Sequence, residues 1–103
     1  MTEAIRERLP NRRGHELITF EHGGVRYHAG IGRFDGGGLA EVFLNGAKCG
    51  TDLDTNAKDS AIVCSLALQA GVPSAVIRRA LTSNRDGSAS GPLGRVLDIM
   101  AEE

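Results

Sequence analysis

The fold turns on Glu16-Leu-Ile-Thr-Phe-Glu-His22, followed by Gly23-Gly24 and then Val25-Arg-Tyr-His-Ala-Gly-Ile31. Two runs rich in β-branched and aromatic residues flank a Gly-Gly pair. Glycine readily adopts the positive φ angles that two-residue primed hairpin turns demand. A two-residue turn fixes the register: His22 faces Val25, Phe20 faces Tyr27 and Ile18 faces Ala29. One face then carries Ile18, Phe20, Val25, Tyr27, Ala29 and Ile31, and the other Thr19, Glu21, Arg26 and His28, with Glu21 opposite Arg26. A half-buried antiparallel pair requires this segregation of apolar from polar side chains.

Beyond the hairpin and the glycine cluster Asp35-Gly-Gly-Gly38, Leu39-Ala-Glu-Val-Phe-Leu-Asn45 reads as a third strand with only Glu41 charged. Its near-continuous apolarity predicts a strand covered on both faces or central in the sheet. After Asn45-Gly-Ala-Lys-Cys-Gly50 the period changes from two to that of a helix. Thr51 or Asp52 caps a helix reaching about Gln69, with Asp54 and Asp59 towards its start, where acids suit the helix dipole. Ala57, Ala61, Cys64 and Leu68, joined by Ile62, Ser65 and Leu66, predict a wide packing stripe of mostly small residues. Gly71 stops this helix. Pro73 sits in the first turn of a second, whose apolar side is Val76, Ile77, Ala80 and Leu81 and whose wet side is Arg78-Arg79. The polar loop Thr82–Gly91 leads to a last helix, capped by Ser90 or Gly91 and starting at Pro92, with Leu93, Val96, Leu97 and Met100 on one face. Residues 1–13 form an extension or a short helix that Pro10-Asn11 ends. Residues 14–103 read as a single domain of α+β class: an antiparallel three-stranded meander followed by three helices packed on one face.

The composition fits that domain. In 103 residues there are 14 glycines, one Tyr, three Phe and no Trp, so the core is modest. That argues against a large enzyme with its own deep pocket. At 41% hydrophobic the chain is too apolar for a disordered tail. Twelve Lys and Arg against 13 Asp and Glu give no basic excess for a dedicated nucleic-acid binder, although Arg6, Arg8, Arg12 and Arg13 crowd the first stretch. No apolar run is long enough for a membrane span. The first residues lack the apolar core and cleavage site of a signal peptide. A cytoplasmic protein with reduced thiols is expected.

The segment of most chemical interest is Asn45-Gly-Ala-Lys-Cys-Gly-Thr51. Small residues at a helix N-terminus leave backbone N–H groups accessible, and Lys48 adds positive charge, so Gly46, Lys48, Cys49, Gly50 and Thr51 make a candidate anion or phosphate turn. It lacks the spacing of a P-loop. Gly30-Ile-Gly32 lacks the following helix that a dinucleotide fingerprint needs. Cys49 has the helix N-terminus and lysine that lower a thiol pKa, but no histidine beside it in sequence. Cys64, among Ile62, Val63 and Leu66, reads as core. His22 and His28 fall on opposite hairpin faces, so no metal site is expected from them, and no cofactor is expected. Arg85 lies in the polar loop, which reads as a solvated connector able to touch a ligand or partner.

Three pieces taken together carry a resemblance: Glu41-Val-Phe-Leu-Asn-Gly-Ala-Lys-Cys-Gly50, Ser65-Leu-Ala-Leu-Gln-Ala-Gly-Val-Pro73 and Ser88-Ala-Ser-Gly-Pro-Leu-Gly94. In order and spacing they resemble the TSCPD domain, found near the C-terminus of adenosylcobalamin-dependent (class II) ribonucleotide reductases and in short stand-alone proteins. The family pattern Ser-Leu-Ala-Leu-x-x-Gly-Val-Pro is matched at Ser65, Leu66, Ala67, Leu68, Gly71, Val72 and Pro73. The chain carries no Thr-Ser-Cys-Pro-Asp stretch, no catalytic barrel and no C-terminal cysteine pair. The resemblance therefore implies a non-catalytic accessory, regulatory or interaction module linked to ribonucleotide reduction. Its partner would be a ribonucleotide reductase, another protein or a second copy of the chain. A small-anion or nucleotide-binding protein using turn 46–51 is the alternative.

Overall fold

A computed structural model describes residues 15–46 and 50–102. The expected helix over residues 1–13 lies outside the described residues, as do Lys48 and Cys49 of the turn. Strands β1 (His15–His22), β2 (Val25–Arg33) and β3 (Leu39–Gly46) precede helices α1 (Asp52–Gln69), α2 (Ser74–Ala80) and α3 (Pro92–Ala101). The sheet is antiparallel in the order β1-β2-β3. Its first hairpin has the expected register, including His22 opposite Val25 and Phe20 opposite Tyr27. Gly23 and Gly24 have φ of 59° and 78°, the doubly left-handed conformation of a type I′ turn. Phe20 and Tyr27 stack across the strands with ring centroids 5.6 Å apart. Glu21 and Arg26 pair on the wet face at 3.7 Å.

The core lies between the sheet and the helices. Tyr27, Ala29 and Ile31 of β2, Val42 and Leu44 of β3, Ala57, Ala61, Cys64 and Leu68 of α1, and Leu93, Val96 and Leu97 of α3 are all buried in it. Alanine and cysteine on the buried face of α1 let the helix approach the sheet closely, which suits a chain with few aromatic side chains to fill space. α2 and α3 are joined at the surface by Arg78 Nε donating to Asp98 Oδ1 at 2.6 Å.

β3 is not central. It is an edge strand, buried on its core face and only partly covered on the other. Ala40, Val42 and Leu44 point into the core, while Glu41, 4% exposed, lies over Gly32 on the other face. Phe43 is half-exposed. A two-residue hairpin makes His22–Val25 a hydrogen-bonded pair, and alternation across the sheet then points the N–H and C=O groups of Ala40, Val42, Leu44 and Gly46 away from β2. A bare row of this kind invites pairing with other chains. Here α1 lies along it. Val42 N–H donates to Ser65 Oγ at 2.9 Å, and the same hydroxyl donates to the Val42 carbonyl at 3.0 Å. Gln69 Nε2 donates to the Ala40 carbonyl at 3.2 Å, and Gly46 N–H donates to Asp54 Oδ1 at 2.9 Å. Three buried polar side chains of one helix thus stand in for a fourth strand.

This placement also corrects the wide stripe predicted for α1. Ala57, Ala61, Cys64 and Leu68 are buried, as is Ser65, but Ile62 and Leu66 are 54% and 46% exposed. The helix spends one flank, Asp54, Ser65 and Gln69, on the strand edge. Its opposite side consequently faces solvent. In α2, Pro73 is the N-cap residue rather than part of the first turn. The helix is only seven residues long, and it packs Ile77 and the following Leu81 inward while Val76 and Ala80 stay exposed.

Candidate functional site

The turn before α1 is organised around a carboxylate. Thr51 is the N-cap, and its hydroxyl accepts from Asp54 N–H at 3.2 Å, as the order of small polar residues predicts. Gly50, at φ 80°, turns the chain into the helix. Asp54 is 2% exposed. Its Oδ1 accepts from Gly46 N–H, and its Oδ2 accepts from Gly50 N–H at 3.3 Å and from Lys58 Nζ at 3.0 Å, one helical turn on. The hydrogen bond from Lys58, followed by the two backbone N–H groups, holds the Asp54 carboxyl below its ordinary pKa. Of the five residues in the candidate anion turn, Gly46, Gly50 and Thr51 are therefore brought together. The N–H groups of Gly46 and Gly50 already serve a carboxylate supplied by the chain itself. In the sequence Asp54 reads as an acid favoured by the helix dipole, although Asp54, Ser65 and Gln69 recur at helical spacing along one flank.

The loop before α3 is more than a solvated connector. Ser83 and Ala89 form a β-bridge, Asn84 N–H donates to the Ser88 carbonyl at 2.8 Å, and Ser90 Oγ donates to Asn84 Oδ1 at 2.9 Å. The Ser88 hydroxyl and N–H hold Asp86 below the usual carboxylate range. His22 Nε2–H, from the end of β1, donates to the Ser90 carbonyl at 2.9 Å and ties the loop to the hairpin. His28 instead meets Thr19 on the sheet's outer face. Among the described residues no group of three or more His, Cys, Asp or Glu side chains converges. Cys64 is enclosed, and burial pushes its thiol up to about 11, so it stays protonated at neutral pH.

The outward side of α1 is unusual for a helix on the surface of a small domain. Ile62, Val63 and Leu66 are 54%, 66% and 46% exposed and adjoin one another at spacings of one, three and four. Such positions ordinarily carry charge. No helix among the described residues is long and apolar enough to cross a membrane.

Fold and site together define a small α+β module in which the buried Asp54, Ser65 and Gln69 hold its own backbone, with an apolar helix face left outside. The chain belongs to the TSCPD domain family, whose profile matches residues 8–102. The match begins ahead of the domain boundary expected at residue 14 and takes in all six secondary-structure elements. No curated protein and no solved structure matches the chain. The family pattern acquires physical content here: its serine is the residue that pairs with both backbone groups of Val42, and its Gly-Val-Pro stretch ends α1. Gly71, at φ 98°, and Val72, whose N–H donates to the Ala67 carbonyl at 3.0 Å, close that helix before Pro73 opens α2.

Proposed function

We propose that the chain is a non-catalytic accessory module that binds another protein, and that its partner is an adenosylcobalamin-dependent ribonucleotide reductase. Membership of the TSCPD family supports the second half of this reading, through the resemblance to domains of those enzymes. The observation that carries the first half is the exposed cluster Ile62, Val63 and Leu66 on α1. Contiguous apolar side chains on a soluble surface mark contact sites, because leaving them in water forgoes about 25 cal/mol for each Å² that a partner would cover. The buried flank of the same helix is fixed to β3, so the face is presented rigidly, with little ordering cost on association.

Affinity capture from the native cell, using the chain and its Ile62→Glu/Leu66→Lys variant, tests this. Both altered residues are exposed, and circular dichroism confirms that the variant is folded. The reading predicts that the reductase is retained by the parent chain and lost by the variant. It fails if no reductase is retained under gentle conditions, or if the variant retains it equally well.

A further inference from the structure

Between the N-terminal half of α1 and the start of α3 lies a cavity of about 270 Å³, apart from the turn at Asp54. Leu53, Ala57 and Leu81 give it apolar walls. Beside the polar side chains of Asn56, Ser60 and Thr82, the start of α3 brings backbone hydrogen-bond donors to its wall. α3 begins at Gly91, an N-cap residue with no side chain to accept a bond, and continues with Pro92, which has no N–H. Arg95 N–H reaches the Gly91 carbonyl at 3.2 Å. That leaves Leu93 N–H and Gly94 N–H, both from residues lining the cavity, without an acceptor among the described residues.

Tyr27 is the independent observation. It lines the same cavity and is 3% exposed, yet no group among the described residues hydrogen-bonds its hydroxyl. Buried tyrosines ordinarily find a partner for this group. No fully enclosed polar side-chain atom among the described residues lacks a partner, so the hydroxyl is not sealed in the core, and Tyr27 is one of the residues that line the cavity. One face of its ring is stacked on Phe20.

We propose that this cavity binds a small carboxylate with an apolar body. The oxyanion accepts from the N–H groups of Leu93 and Gly94 and from the Tyr27 hydroxyl, and the apolar part lies against Leu53, Ala57 and Leu81. A helix N-terminus favours an anion through its unpaired N–H groups and its dipole. Among the described residues no lysine, arginine or histidine lines the cavity, so it suits a single negative charge better than a phosphate dianion. At about 30 Å³ per water-sized group the space takes a compact molecule of about ten heavy atoms.

Gly91 offers a variant that competes with such a ligand. A Cβ at Gly91 meets nothing within 4 Å, and its φ of −118° suits any residue. Gly91→Asp places the chain's own carboxylate at the N-cap, where it accepts from the same N–H groups. Amide NMR spectra recorded on addition of benzoate, benzamide and inorganic phosphate test the proposal and report folding of each variant. Benzoate at millimolar concentration is expected to shift the Leu93 and Gly94 amides saturably, and benzamide or phosphate to bind at least about tenfold more weakly. Tyr27→Phe should weaken benzoate roughly tenfold, the loss of one charge-assisted hydrogen bond. Gly91→Asp should abolish the response in a protein at least as heat-stable as the parent. The proposal is overturned if benzoate produces no saturable shift of these amides, if benzamide or phosphate matches it, or if folded Gly91→Asp binds benzoate as the parent does.

Discussion

Ser65→Ala removes one oxygen atom and little packing, yet it should be among the most damaging small substitutions in the chain. The hydroxyl pairs with both the N–H and the C=O of Val42, a residue with no exposed surface. Leaving a buried backbone group without a partner costs about 1–3 kcal/mol. Two such groups, less the roughly 0.5 kcal/mol by which alanine is the better helix former, give a net loss of about 1.5–5.5 kcal/mol. A domain of this size has about 5–15 kcal/mol in all. Urea denaturation followed by circular dichroism reads the difference directly. With a slope of about 1–1.5 kcal/mol/M the midpoint should fall by about 1 M or more. Ser60→Ala is the control, since Ser60 only donates to the Ala57 carbonyl within the same helix at 2.9 Å. That substitution should be neutral or slightly stabilising. A loss for Ser65→Ala no larger than for Ser60→Ala would refute the reasoning, because it would mean that the edge of β3 does not depend on α1.

Asp54 gives a pH dependence. Its folded carboxyl is held below the ordinary value of 3.8, so the unfolded chain takes up the proton first. Its contribution to stability is therefore present above that value and lost as pH falls through and below it. Melting temperatures measured across this range should fall less steeply for Asp54→Asn than for the parent, and parallel curves would count against the carboxylate's role. Cys64 should resist iodoacetamide in the native state at neutral pH and react on unfolding, because its buried thiol stays protonated up to about 11; mass mapping that finds Cys64 labelled as fast as free cysteine would contradict its enclosure. Gly94→Ala should destabilise by about 1–3 kcal/mol despite alanine's better helix propensity, because the new Cβ would sit 2.9 Å from the Cβ of Ala89. Adding Ala89→Gly should recover part of that loss, and strict additivity of the two substitutions would show that they do not touch.

What could be read from the residues is what local chemistry decides. The Gly23-Gly24 turn fixes its own register, so the entire face assignment of β1 and β2 followed from two residues. Thr51, Gly71 and Gly91 bound their helices for similarly local reasons. The apolar run of β3 admits a strand covered on both faces or a central one, because a helix alongside a strand edge leaves the same pattern as burial between strands. Ile62 and Leu66 looked like core for a related reason: helical periodicity shows which residues share a side, not which side a sheet lies on. The amides of Gly46 and Gly50 looked available because their acceptor, Asp54, reads equally well as an acid favoured by the helix dipole. The Tyr27 cavity left no trace at all, since Tyr27 fits the apolar face of the hairpin and its missing partner appears only once α3 is in place.

The exposed side of α1 and the sealed side follow from one arrangement. Asp54, Ser65 and Gln69 hold the helix against β3, and that fixes which apolar residues are left outside for a partner. Native-state hydrogen exchange tests this arrangement most directly. The amides of Val42 and Gly46 point away from β2, and the account predicts that they exchange slowly, with protection approaching that of the core of the sheet. Exchange of the Val42 amide as fast as that of Arg85, in the exposed loop, would contradict it.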